Sequence, residues 1–109
     1  MVKLIALYKK PDDIPTFDKH YAEVHTPLVK QLPGLRRLEV SRITGAAIGE
    51  APHYLLAEMY FDSRDVLDQA LASPVGRAAG KDLMSFAAKY VTLMYAEVAA
   101  EEDIRSFSD

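Results

Sequence analysis

No cysteine occurs among the 109 residues. That absence removes a thiol nucleophile, a disulfide framework, cysteine-ligated zinc and an iron–sulfur cluster together. No segment approaches the roughly 18 consecutive apolar residues of a membrane span, and the apolar run between Lys3 and Lys10 is too short for an export signal. A cytoplasmic chain with no membrane partner is expected. The sequence also lacks a glycine-rich phosphate loop, a G-x-S-x-G elbow and a dinucleotide fingerprint, which argues against phosphoryl transfer and nicotinamide chemistry. Positive charge is in deficit, with 13 Lys+Arg against 16 Asp+Glu for a formal net charge of −3. The basic residues are scattered apart from Arg36, Arg37 and Arg42, so no nucleic-acid partner is expected.

What is present suffices for one domain. Half the residues are apolar, and a chain of this length buries roughly 60 to 70% of its unfolded surface, enough for a self-supporting core. Residues Val2 to Tyr8 are apolar on both alternating faces, as in a strand covered on both sides. Thr16 stands before a helical pattern of Phe17, Tyr21, Val24, Leu28 and Leu32, closed by Pro33-Gly34. Leu35 to Ile43 alternates as a half-exposed strand, and Tyr54 to Phe61 reads as a second central strand with Glu58 its one charge. Asp62-Ser63 caps a short helix, and Ser73-Pro74 opens another that runs to about Ala88. Tyr90 to Val98 is the last strand. Residues 1–98 thus form the domain, and Ala99 to Asp109 an acidic tail.

The order βαββαβ with one antiparallel four-stranded sheet is the α+β, ferredoxin-like arrangement. Helices on one side leave the other sheet face open, yet apolar residues lie on both faces. Burying several hundred Å² at roughly 25 cal/mol per Å² favours a homodimer formed sheet against sheet. On the strand from Tyr54, alternation sets Leu55, Ala57, Met59 and Phe61 under the helices. Tyr54, Glu58 and Tyr60 are set on the opposite face, where Glu58 is expected to pair with Arg37 or another interface cation.

The segments Phe17-Asp18-Lys19-His20-Tyr21, His25-Thr26-Pro27-Leu28 and Leu32-Pro33-Gly34-Leu35 resemble the EthD family, named for ethyl tert-butyl ether degradation, within the dimeric α+β barrel group. Phe61-Asp62-Ser63, Ala70-Leu71-Ala72-Ser73-Pro74 with Gly76, and Ala79-Gly80-Lys81-Asp82 with Phe86 agree in order, and Val75 departs from a usually acidic position. The resemblance implies a dimer of ferredoxin-like chains, each with a pocket between the first helix and the sheet. It also implies a small hydrophobic organic ligand, in a group whose relatives include cofactor-free monooxygenases, isomerases, cyclases and haem-binding enzymes.

The reacting groups are sought on the first helix. On a helical wheel His25 lies roughly 50° from the centre of the apolar stripe and faces the pocket, whereas His20 lies nearly 90° off on the other flank and points away. Tyr21 and His25 are spaced i, i+4, with Asp18 a further turn back, so the three are expected to form a polar strip. A neutral imidazole there serves as general acid/base, which makes His25 and Tyr21 the candidate catalytic residues. Asp18, His20 and His53 are candidate binding residues, with His53 reaching the pocket from the sheet side. Pro27 leaves the Glu23 carbonyl without its helical donor, so a kink or restart is expected there. Asp82, at the acidic position before Phe86, is read as a helix cap or anchor, with a catalytic role the lesser alternative. His20 and His25, about 140° apart, lack metal-ligand spacing, and no metal or cofactor is expected. The expected function is cofactor-independent acid/base chemistry on a small hydrophobic carbonyl or aromatic compound. The rivals are a non-catalytic binding dimer and a barrel that binds haem through His25 or His53.

Overall fold

The computed structural model describes residues 1–102. Strands β1 (Val2–Lys9), β2 (Arg37–Arg42), β3 (His53–Phe61) and β4 (Val91–Glu97) form one antiparallel sheet in the order β2-β3-β1-β4. The apolar β1 and β3 are therefore the central pair, and the more polar β2 and β4 are the edges. Helices α1 (Ile14–His20), α2 (Thr26–Val29), α3 (Arg64–Ala72) and α4 (Pro74–Ala87) complete an α+β ferredoxin-like fold. Leu4, Ala6 and Tyr8 of β1 and Leu55, Ala57, Met59 and Phe61 of β3 form the sheet side of the core, packed with Phe17, Val29, Leu32 and Leu67. Among the described residues no helix is long and apolar enough to cross a membrane. Residues 99–102 lie beyond the last strand, and the remainder of the acidic tail lies outside the described residues.

The helix entries follow their caps. Ser63 accepts from the Val66 N–H, and Ser73, followed by Pro74, accepts from the Gly76 N–H. The first helix starts three residues earlier than a cap at Thr16 suggests, because the Asp13 carboxylate accepts the Thr16 N–H and takes the capping role.

Between α1 and α2 the chain runs through one π turn, Tyr21–His25, whose wider register is marked by the Thr26 N–H bonding to the Tyr21 carbonyl five residues back. Pro27 follows directly, and its missing N–H explains why an uninterrupted α register is not continued there. The extra residue in this turn shifts the inward face by one position. Val24, inward on an α-helical wheel, is 42% exposed, while His25, Val29 and Leu32 are buried.

A second irregularity lies at the start of β3. Lys9 pairs with His53 and Tyr8 with Leu55, leaving Tyr54 as the extra residue of a bulge. The bulge turns Tyr54 off the outer face: its ring meets Phe17 at 6.1 Å and its hydroxyl donates to Asp18 at 2.8 Å. On the outer face Glu58 pairs with Lys3 at 2.6 Å, not with Arg37, which pairs with Glu39 on its own edge strand. Lys3 starts the strand beside β3 and reaches Glu58 across the ladder.

Candidate active site

Between the Tyr21–Val29 limb, α4 and the sheet lies an open-mouthed cavity. Its walls are largely aliphatic, from Leu4, Ala6, Ala57, Met59, Val29 and Leu83, and small residues of α4 such as Gly76 and Ala79 leave it room. Gly76 is required by packing, because a Cβ there would stand against the carbonyls of Ala70 and Leu71, where α3 hands over to α4.

His25 is 6% exposed and lines this cavity. Its Nδ1 lies 3.0 Å from Asp82 Oδ2, and Asp82 Oδ1 lies 2.8 Å from His20 Nε2. A carboxylate only accepts, so both imidazoles donate to it. The His25 proton is thereby placed on Nδ1, and Nε2 is left as the acceptor. Among the described residues Nε2 has no hydrogen-bond partner, and it is not among sealed, unpaired polar atoms, so it opens onto free space. Burial pushes the His25 pKa below its ordinary value, an effect the Asp82 hydrogen bond and charge oppose but do not cancel. The ring is consequently held neutral at neutral pH. Phe86 wedges against both histidines, with ring centroids 4.4 Å from His20 and 5.3 Å from His25.

Two phenols stand beside the imidazole. Tyr21 begins the π turn that His25 ends, and their ring centroids are 5.7 Å apart. Tyr8 lies across from Tyr21 at 5.6 Å in an edge-on contact, and both line the cavity. Burial raises the Tyr21 pKa to about 12, and burial together with the nearby Tyr21 and Asp82 raises that of Tyr8 further. Both remain protonated donors.

The expected site residues separate accordingly. Tyr21 and His25 meet at the cavity. Asp18 does not join them in a strip: it is bonded to Tyr54, because the bulge brings that hydroxyl over α1. His53 does not line the cavity. It opens β3 four residues before Ala57, about 13 Å along the strand at roughly 3.3 Å per residue, so of the two histidines considered for haem only His25 is present there. His20 does not line the cavity, as the wheel implies, but it reaches the far oxygen of Asp82. The π turn, with bonds reaching five residues back, draws positions 20 and 25 together so that both reach Asp82. Among the described residues no group of three His, Cys, Asp or Glu has the geometry to hold a metal ion.

Two residues of the site are not among the candidate catalytic and binding residues of the sequence. Asp82 is read there as a cap or anchor, because its partners lie 57 and 62 residues away in the chain. Tyr8 is read as the end of a strand, although alternation with Leu4 and Ala6 sets it on the inward face.

The geometry can be set beside known proteins. A curated relative, an uncharacterized 11.0 kDa protein from the thcB-thcC intergenic region of Rhodococcus erythropolis, is 34% identical over 97 residues, covering 89% of this chain and 94% of that one. The solved structure of an ethyl tert-butyl ether degradation (EthD) family protein from Bacillus halodurans superposes with a TM-score of 0.86 at 50% identity, over 89% of this chain and 97% of that one. A dimeric protein of ferredoxin-like fold from Bacteroides fragilis shares the fold at 24% identity and a TM-score of 0.60, over 88% of this chain and 94% of that one. The EthD domain profile matches residues 13–90, which include the π turn, His20, His25 and Asp82. The chain belongs to the EthD family.

Proposed function

We propose that the protein catalyses proton transfer on a small, largely apolar carbonyl or aromatic compound, with His25 as the general base. One observation carries this reading: a buried, neutral imidazole fixed by Asp82 through Nδ1 presents an unpartnered Nε2 to an apolar cavity. An acceptor so placed removes an acidic proton from a bound C–H or O–H group and returns it as the imidazolium. Tyr21, a neutral donor at neutral pH, supports the charge that develops on the ligand. Asp82 is a positioning residue that holds the tautomer and balances the imidazolium, and His20 holds Asp82 from its far side. The transfer needs only groups of the chain itself.

Deuterium uptake tests the reading. A panel of enolisable apolar ketones such as benzoylacetone is incubated with the protein in D2O, and loss of the acidic C–H signal is followed by NMR. His25→Ala should slow exchange by about 100-fold or more, and Asp82→Asn by about tenfold, the range of a positioned general base. Stability should fall by only ~1–2 kcal/mol in His25→Ala, because the ring borders existing space and Asp82 keeps His20. Exchange unchanged in His25→Ala would leave a binding module as the better reading.

We further propose that the chain works as a homodimer joined through the outer face of the sheet. Ile5, Leu7, Leu56 and Met94 share that face in register, and Met94 is 38% exposed in the single chain. The Bacteroides protein of the same fold is dimeric, which supports a dimer without specifying the face.

A further inference from the structure

Tyr8 is a residue with no evident reason to be tyrosine unless something meets its hydroxyl. It stands on the central strand, its side chain almost fully enclosed, with its ring set edge-on against Phe17 at 5.4 Å and Tyr21 at 5.6 Å. Phenylalanine would make the same ring contacts. Buried hydroxyls are almost always hydrogen-bonded, yet among the described residues neither the Tyr8 nor the Tyr21 hydroxyl has a protein partner. Neither oxygen is sealed, and both residues line the cavity that holds His25. Ring centroids 5.6 and 5.7 Å apart along Tyr8, Tyr21 and His25 set the three side chains in succession along the lining of one cavity.

We propose that Tyr8 and Tyr21 are paired donors to one ligand oxygen that becomes an enolate or phenolate as His25 takes the adjacent proton, so that the substrate is a neutral, enolisable carbonyl compound or a hydroxyarene. This rests on the general-base reading of His25 and narrows its substrate class. Among the described residues no Lys or Arg lines the cavity, so a ligand that enters already anionic meets no countercharge from them and faces Asp82 nearby. A neutral weak acid enters without that cost. Its O–H or C–H bond then breaks, the proton moves to His25 Nε2, and the electron pair remains on the ligand, delocalised onto the oxygen held by the two phenols. The imidazolium is balanced by Asp82 and the oxyanion by the two O–H groups, with no charge gained or lost by the cavity. Reversal of the step, or return of the proton to a second carbon, regenerates neutral His25 with no further reactant.

The test uses 4-nitrophenol, whose phenolate has its own absorption band, with 4-nitroanisole as a binder that carries no acidic proton. Below the ionisation midpoint of the free phenol, the bound probe should show the phenolate band. Tyr8→Phe and Tyr21→Phe should each lower the bound phenolate-to-phenol ratio about tenfold, the effect of losing one hydrogen bond to a charged group, while 4-nitroanisole, which only accepts a neutral hydrogen bond, is weakened less. A ratio unchanged in both variants, or failure of 4-nitrophenol to bind the wild-type protein, overturns the paired-donor assignment. His25→Asn separates the two readings. Loss of the phenolate band in that variant supports both, whereas a band retained there but diminished in the tyrosine variants removes His25 as the base and leaves the paired donors standing.

Discussion

The pH response of His25 is set by the contest between its burial and Asp82, which burial wins. Its folded pKa lies below the ordinary value near 6.5, so between those two values the unfolded chain binds a proton that the folded protein does not. Stability is accordingly complete above about pH 6.5 and declines as pH falls from there to the lowered folded value. Denaturant titrations of the wild-type protein and His25→Asn over this window should show the decline in the former and a flatter profile in the latter. The same sign governs catalysis: ketone exchange should persist at pH values below about 6.5, where an ordinary imidazole would already be protonated. Tyr21 behaves in the opposite direction. Its pKa of about 12 in the fold favours the native state fully below pH ~10, and that contribution is lost as pH rises through about 12.

Among the elements, the strands were legible because period-two alternation is insensitive to distant partners. Leu55, Ala57, Met59 and Phe61 lie under the helices as alternation requires, and the caps at Ser63 and Ser73 stand where their side chains announce them. The first helix was legible only to Tyr21. Beyond it an α-helical wheel places Val24 inward, which the π turn reverses, whereas His20, set away from the cavity by the wheel, does stay off its lining and holds Asp82 instead. Pro27 signals a break, but a missing donor alone does not distinguish a kink from a wider turn. Tyr54 escaped for a related reason, since a bulge residue belongs to neither strand face. Asp82 escaped because its role exists only once α4 packs beside the π turn. The junction of α3 and α4 offers an element-scale test. Ala exceeds Gly in helix propensity by about 1 kcal/mol, but in Gly76→Ala the new methyl meets the backbone carbonyls of Ala70 and Leu71, the latter at 2.6 Å. Overpacking should dominate, for a net loss of ~1–3 kcal/mol in chemical denaturation; a stabilised variant would show that the junction yields.

At the scale of the whole molecule, the cavity and the proposed dimer face lie on opposite sides of one sheet, so they can be perturbed separately. Met94→Asp changes an edge-strand residue partly open to solvent in the single chain. It should convert a particle of about twice 12.1 kDa to one of that mass in sedimentation, with the far-UV circular dichroism retained. A wild-type protein that sediments as a single chain at micromolar concentration would dismiss the assembly. The ion pairs on that face carry a further consequence. Lys3–Glu58 and Arg37–Glu39 are set among Ile5, Leu56 and Met94, with Glu39 directly across from Glu58. A greasy surface laid on this face strips water from those charges without replacing it, so indiscriminate adhesion is penalised. A surface that meets each ion with its opposite escapes the penalty, and a two-fold related copy does so only if its Lys3 and Arg37 come to face the other copy's Glu58 and Glu39. The outer face thus discriminates by its ions rather than by its apolar area, and is selective about what it touches in a crowded cell.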